Sequence, residues 1–149
     1  MKLLILNGPN LNLLGLREPA IYGKSSYADL ECFLRESARE IGAEIEVFQS
    51  NHEGVLVDKI QAAYGVFDGI VINPAAYTHT SVALLDALKA VSIPAVEVHL
   101  SDPDTREDFR KTSYVRLACL KTVKGQGFES YRQAMLFLAE YLRERESKA

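Results

Sequence analysis

Residues 27–42, YADLECFLRESAREIG, lie between two apolar runs, KLLIL at 2–6 and EIEVFQ at 44–49. The middle segment repeats its apolar positions at helical spacing, and the flanking runs are short and β-compatible, so the reading is strand, helix, strand. Ser26 with Asp29 forms a capping-box signature at the helix start, and Gly42 supplies its stop. Two strands joined by a helix are parallel neighbours. The alternation continues with a helix over 54–64, the strand GIVIN at 69–73, a helix over 80–90 and the strand AVEVH at 95–99. A fifth strand is expected near RLACLKTV at 116–123, and a last helix from about 128 to 144.

Five strands interleaved with helices imply a doubly wound α/β fold of flavodoxin-like type, with a five-stranded parallel sheet as the middle of three αβα layers. No linker, repeat or low-complexity segment interrupts residues 1–149, so one domain is expected. Such sheets bind ligands outside the carboxyl ends of their strands, where this sequence has Asn7, Gln49, Asn73 and His99.

The fourth strand, within PAVEVHLSD at 94–102, carries an anomaly. Val96, Val98 and Leu100 alternate onto one face, which leaves Ala95, Glu97 and His99 on the other. The two-residue offset sets Glu97 and His99 about 7 Å apart along the strand, close enough for the carboxylate to orient the imidazole directly or through a water. Taken alone, the pair is equally consistent with a satisfied buried ion pair. Its place at the carboxyl end of the sheet favours an acid or base held by an orienting group.

Composition excludes several function classes. A chain of 149 residues with 48% hydrophobic composition can build one core, and a net charge of -3 without a basic block gives no footprint of a nucleic-acid binder. Cys32 and Cys119 have no paired or ligand spacing, which favours reduced core thiols. The start, MKLLILNGPN, is too short in apolar residues for a signal segment, and no long apolar run follows, so a cytoplasmic location is expected. His52, His79 and His99 lack metal-ligand spacing, so no metal is expected.

Two further segments stand out. In TSVALLDALKAV at 80–91 the apolar residues cover most of the helix circumference with Asp86 as an isolated charge, which predicts burial on two sides, one against another subunit of a homo-oligomer. The stretch NGPNLNLLGLREPAIYG at 7–23 is long for a turn and predicts a lid or binding loop over about 8–24. It has neither of the glycine patterns that cradle phosphates, and GQGFES at 125–130 also lacks them. No GxSxG elbow and no acidic pair after the first strand are present. His79 by itself fits a helix-start histidine bonded to local backbone, and Asn73 by itself fits a turn asparagine or an amide for an uncharged ligand or water.

Together NGPNLNLLG.REP..YG, FQSNHEG, DGIVINPAAYTHTS, AVEVHLSD, REDFR and GQGFESYR resemble, in order and over nearly the whole chain, the type II 3-dehydroquinate dehydratases. The resemblance implies a flavodoxin-like subunit, commonly a dodecamer of trimers. It also implies conversion of 3-dehydroquinate to 3-dehydroshikimate, in the shikimate pathway or quinate catabolism, by anti elimination through an enolate without metal, Schiff base or other cofactor. By position Tyr22 matches the base, Arg17 the lid arginine beside it, His99 the general acid and Glu97 its orienting group. Asn10 matches an asparagine near the reacting centre, and Asn73 a substrate contact that holds the enol-stabilising water. His79 and Arg110 match ligands of the substrate hydroxyls, the backbone of Leu100 and Ser101 the carboxylate site, and Asp86 a residue reaching in from a neighbouring subunit. The sequence departs from the family's usual pattern at Asp102, Lys111, Thr112, Lys121 and Lys124. None of these stands at a matched catalytic position, but Asp102 adds negative charge beside an anion site.

The implied chemistry accounts for the residues. Dehydrating a β-hydroxy ketone needs a base for the α proton, stabilisation of the enolate and an acid for the departing hydroxyl. A tyrosine with an ordinary pKa near 10 is ionised in about one molecule per thousand at pH 7, a deficit of ~4 kcal/mol. A nearby guanidinium offsets much of that. Two rival readings share these residues: a non-catalytic binding domain of the same fold, and another lyase or isomerase acting on a cyclic polyol acid.

Overall fold

In the computed structural model, which describes residues 1–16, 18–22 and 24–149 with Tyr22 by its backbone alone, five parallel strands lie in the order β2-β1-β3-β4-β5. They are β1 (Lys2–Asn7), β2 (Glu44–Gln49), β3 (Gly69–Asn73), β4 (Ala95–His99) and β5 (Lys121–Lys124). The helices are a single turn α1 (Pro19–Tyr22), then α2 (Tyr27–Ile41), α3 (Glu53–Ala63), α4 (Val82–Val91) and α5 (Phe128–Lys148). Alternation along β1 decides the layers. Leu3 and Ile5 pack with α2 and α5 on one face, whereas Leu4 and Leu6 pack with α3 and α4 on the other. Each such side chain, buried completely, stabilises the fold by roughly 1.5–3 kcal/mol.

Local signals act as expected at α2. The Ser26 hydroxyl accepts from the Asp29 N–H at 3.1 Å, and the Asp29 carboxylate accepts from the Ser26 N–H at 2.9 Å. Gly42 closes the helix at φ +81, a left-handed conformation that favours glycine. In the β4 anomaly, Val96, Val98 and Leu100 join the α2/α5 core, and Ala95 joins the α3/α4 side with Glu97 and His99.

Strand order reverses at β1, where β2 and β3 flank it on either side, and this opens a crevice at the carboxyl ends. The register sets Asn7 beside Asn73 there. Gly8 closes the backbone on the crevice. Its N–H donates to the Asn73 carbonyl at 2.8 Å, and a β-carbon on it would lie 2.4 Å from the Pro74 oxygen.

Three expectations change. The fifth strand begins at Lys121, because residues 115–118 wind into a 3-10 turn whose Arg116 N–H bonds the Ser113 hydroxyl at 3.3 Å; strand pairing starts after the Leu120 N–H meets the Ala95 carbonyl. The last helix continues to Lys148, through residues of good helix propensity with Arg145 and Lys148 favouring its carboxyl end. Cys32 is not a core thiol: Leu30, Leu34, Ala38 and Ile41 face inward, which turns Cys32 out to solvent. Cys119 is half-buried, and burial pushes its thiol up to about 12. On α4, Leu84, Leu85, Ala87, Leu88 and Val91 are buried within the subunit, and Val82, Ala83 and Ala90 are exposed around Asp86.

The segment expected as a lid carries a 3-10 turn at Leu11–Leu13 and the α1 turn. Leu11 and Leu14 anchor it in the core, and Leu16 is exposed. Arg17, Gly23 and the side chain of Tyr22 lie outside the described residues. Among the described residues no helix is long and apolar enough to cross a membrane, and no group of histidine, cysteine and acidic residues is arranged to hold a metal.

Candidate active site

β4 ends at the crevice, and its alternation points Glu97 and His99 to the same side. His99 Nε2 lies 2.6 Å from Glu97 Oε2, a direct hydrogen bond with the carboxylate accepting. The bond commits Nε2 and leaves Nδ1 as the nitrogen free to exchange a proton. Glu97 is completely buried, and His99 only 6% exposed. Burial works to raise the Glu97 pKa, but the His99 hydrogen bond and charge, with hydroxyls of Ser113 and Thr122, outweigh it and hold the carboxyl down to about 2.

A pocket opens in front of His99, with Asn73, His79, Leu100, Ser101, Arg106 and Arg110 around it and Leu11 from the β1 loop. The His79 ring Nδ1 donates to the Thr112 carbonyl at 2.7 Å, 33 residues away, which leaves Nε2 as its other ring nitrogen. Burial lowers the His79 pKa, opposed by that bond and aided by the Arg110 charge, so it favours the neutral ring. The Asn73 amide donates to the Tyr131 hydroxyl at 2.9 Å, and its oxygen accepts from the Ala75 N–H at 3.2 Å. That second bond is the turn reading of Asn73, and the residue also lines the pocket. Arg110 is braced by Glu107 at 2.5 Å.

Other strand ends serve the scaffold. The Tyr131 hydroxyl donates to Asn7 at 2.8 Å, and the Asn7 amide donates to the Tyr27 hydroxyl at 3.3 Å, so Asn7 is consumed in a buried polar chain. The Gln49 amide donates to the Gly8 carbonyl at 3.1 Å and to the side chains of Asn12 and Asn51, holding the root of the 8–24 segment. Asn10 is left-handed at φ 69, with its N–H donating to Asn51 at 3.0 Å. It is exposed, at the mouth of the same loop as Leu11. Asp86 is exposed on the outer face of α4 and does not line this pocket.

Sequence reading missed Arg106, Ser113, Arg116 and Thr122. Arg106 reaches the pocket and pairs with Glu18 at 3.8 Å; it stands four residues before Arg110 in REDFR. Ser113, Arg116 and Thr122 all bond the Glu97 carboxylate, and no spacing in the sequence signalled that. The Asp102 charge is compensated: Lys124 bonds it at 3.2 Å and also bonds Asp104. The Asp104 hydrogen bond is the main influence raising the Lys124 pKa.

The chain matches the family described as dehydroquinase class II over residues 1–139. It is 55% identical over 131 residues to a 3-dehydroquinate dehydratase of Geotalea daltonii, covering 88% of this chain and 91% of that protein. It is 50% identical over 147 residues to a protein of Aspergillus oryzae named catabolic 3-dehydroquinase, covering 99% and 96%. The crystal structure of a type II dehydroquinase from Butyrivibrio crossotus is similar with a TM-score of 0.91 at 48% identity, covering 93% of this chain and 97% of that one. A flavodoxin-like sheet with a buried carboxylate–imidazole pair at its carboxyl end, matched over most of its length at this identity, belongs to the class II dehydroquinase family.

Proposed function

We infer that this chain is a type II 3-dehydroquinate dehydratase, a hydro-lyase that eliminates water from 3-dehydroquinate to give 3-dehydroshikimate. The observation that carries the mechanism is the 2.6 Å contact between His99, which lines the pocket, and the fully buried Glu97 behind it. Tyr22, ionised with the help of Arg17, takes the proton α to the carbonyl. The C–H electron pair becomes an enolate, stabilised by a water held at Asn73 with Asn10 close to the reacting centre. His99 gives its Nδ1 proton to the departing hydroxyl, the C–O bond breaks, and water leaves as the enolate collapses to the enone.

His79 and Arg110 bind the substrate hydroxyls, and the backbone of Leu100 and Ser101 binds the carboxylate. Their common place around one pocket with His99 supports this division of labour. Residues 8–24 act as a lid on a single catalytic domain of residues 1–149. Asp86 completes the site of a neighbouring subunit in a homo-oligomer, a dodecamer built from trimers; its exposure amid Val82, Ala83 and Ala90 supports a contact there. The enzyme works in the cytoplasm, in the shikimate pathway or quinate catabolism, without metal, cofactor, nucleic acid or membrane.

The test compares Tyr22→Phe, Arg17→Ala and the double variant, following enone absorbance on 3-dehydroquinate and exchange of the substrate α proton in deuterated buffer. Groups acting as a unit are non-additive, so if each single variant loses ~1000-fold the double variant is little worse than Tyr22→Phe. Residual activity of Arg17→Ala rises toward alkaline pH, as the unassisted phenol ionises. Native proton exchange in Tyr22→Phe would assign the base elsewhere, and absence of enone from the native protein would leave a binding domain.

A further inference from the structure

We propose that Arg116, Thr122 and Ser113 are positioning residues of the reaction, clamping the Glu97 carboxylate so that His99 is held in one tautomer and one ring orientation. The inference rests on the reading of His99 as the acid. A carboxylate with no exposure is tolerated only when donors replace its water. Glu97 has four. Oε2 accepts from His99 Nε2 at 2.6 Å and from the Ser113 hydroxyl at 2.8 Å; Oε1 accepts from the Thr122 hydroxyl at 2.9 Å and from Arg116 Nε at 3.1 Å. Two bonds on each oxygen use the carboxylate's full acceptor capacity.

Both hydroxyls in this group are themselves directed. Thr122 Oγ1 shares the single Arg116 Nε proton, at 3.2 Å, with Glu97 Oε1, and Ser113 Oγ accepts from the Arg116 N–H at 3.3 Å, so each hydroxyl proton is turned toward Glu97. Rotating the carboxylate about its last side-chain bond would break bonds at both oxygens together. The clamp therefore fixes the plane in which Oε2 meets the imidazole. Thr122 stands opposite Glu97 in the β4–β5 register, and Ser113 and Arg116 belong to the 3-10 turn and its lead-in. None of the three lines the pocket, so a direct substrate contact does not explain them.

A purely structural clamp and a positioning clamp make different predictions. If the groups only make burial of the charge tolerable, removing one lowers the melting temperature and leaves turnover alone. If they aim the acid, kcat falls at unchanged KM, because orientation of the acid matters in the transition state and not in substrate binding. Supporting groups of this kind are worth roughly 10–100-fold where they orient a ligating histidine.

The test measures kcat and KM with 3-dehydroquinate for Arg116→Gln, Thr122→Val and Thr122→Ser, alone and in a Glu97→Gln background, beside His99→Gln. Arg116→Gln and Thr122→Val are expected to lower kcat by about 10-fold or more with KM within about twofold, while Thr122→Ser, which keeps the hydroxyl, stays within about twofold of native. In the Glu97→Gln background Arg116→Gln adds less than about twofold, since its route to His99 is already cut. Native kcat with a lowered melting temperature, a change confined to KM, or an undiminished loss in the Glu97→Gln background each overturns the proposal. Arg116 is partly exposed, so its variant keeps the test open should Thr122→Val fail to fold. Native kcat in Arg116→Gln with turnover abolished in His99→Gln removes this inference alone, whereas native turnover in His99→Gln removes the acid reading beneath it.

Discussion

His99 and Glu97 stand two residues apart on β4 and meet directly, Nε2 to Oε2 at 2.6 Å. A flat strand would hold their α-carbons about 7 Å apart, so both side chains must lean together to close the gap. His99→Ala is expected to slow turnover by ~100-fold or more with the fold intact, the usual contribution of a positioned acid. Glu97→Gln removes charge and orientation but not the proton donor, so its loss in kcat is smaller. Enone formation by the purified variants measures both, and near-native turnover of a folded His99→Ala protein would refute the assignment.

The same carboxylate makes a prediction about acid. Glu97 is held at about 2 in the fold against an ordinary 4.5. A folded pKa below the unfolded one means that the group stabilises the fold fully above the unfolded value and progressively less as pH falls toward the folded one. The difference in melting temperature between the native protein and Glu97→Gln should therefore be largest near neutral pH and shrink between about pH 4.5 and pH 2. Calorimetric melts across that range check it, and a constant difference would contradict it.

Tyr131 is completely buried with its hydroxyl donating to Asn7 and accepting from Asn73. Tyr131→Phe leaves the Asn7 oxygen without that donor and the Asn73 amide without that acceptor. The loss should be about 1–3 kcal/mol in urea unfolding, with the slope unchanged.

Lys124 offsets two acids near the Ser101 side of the pocket. On the proposal that the backbone of Leu100 and Ser101 holds the substrate carboxylate, Lys124→Met exposes that carboxylate to uncompensated charge. One unit charge at about 7 Å in water is worth ~0.6 kcal/mol, so KM should rise about threefold at low salt. The effect should fade as salt is added, and Asp102→Asn on the same background should reverse much of it. An increase indifferent to both would point to a packing defect.

Asp86 is exposed on α4, outside the pocket of its own subunit. Asp86→Ala is expected to raise KM severalfold and to loosen assembly, read by kinetics and light scattering on the same samples. A fully active monomer at assay concentration would dispose of the intersubunit role.

Much of this molecule is written in short-range pattern. The capping box at Ser26 and Asp29, the stop at Gly42, the alternation that sends Glu97 and His99 to one face, and the strand and helix order all depend on neighbours within a turn or a strand, where periodicity and backbone preference act. Asn73 and His79 in DGIVINPAAYTHTS and Arg110 in REDFR were assigned as substrate ligands only by their resemblance to a family pattern, and the fold gathers them at one pocket. What was not legible lies across the sequence. Ser113, Arg116 and Thr122 reach Glu97 over 16, 19 and 25 residues, and Tyr131 reaches Asn73 over 58. No periodicity encodes such a contact, because it exists only once β5 is laid beside β4 and α5 over the sheet. The late start of β5 has the same origin, since residues 115–118 wind into a 3-10 turn and pairing begins only where the Leu120 N–H meets the Ala95 carbonyl. The sequence alone determined which groups stand at the carboxyl ends of the strands; packing decided which partners hold them there, because a buried charge takes its donors from whatever the tertiary fold brings within reach.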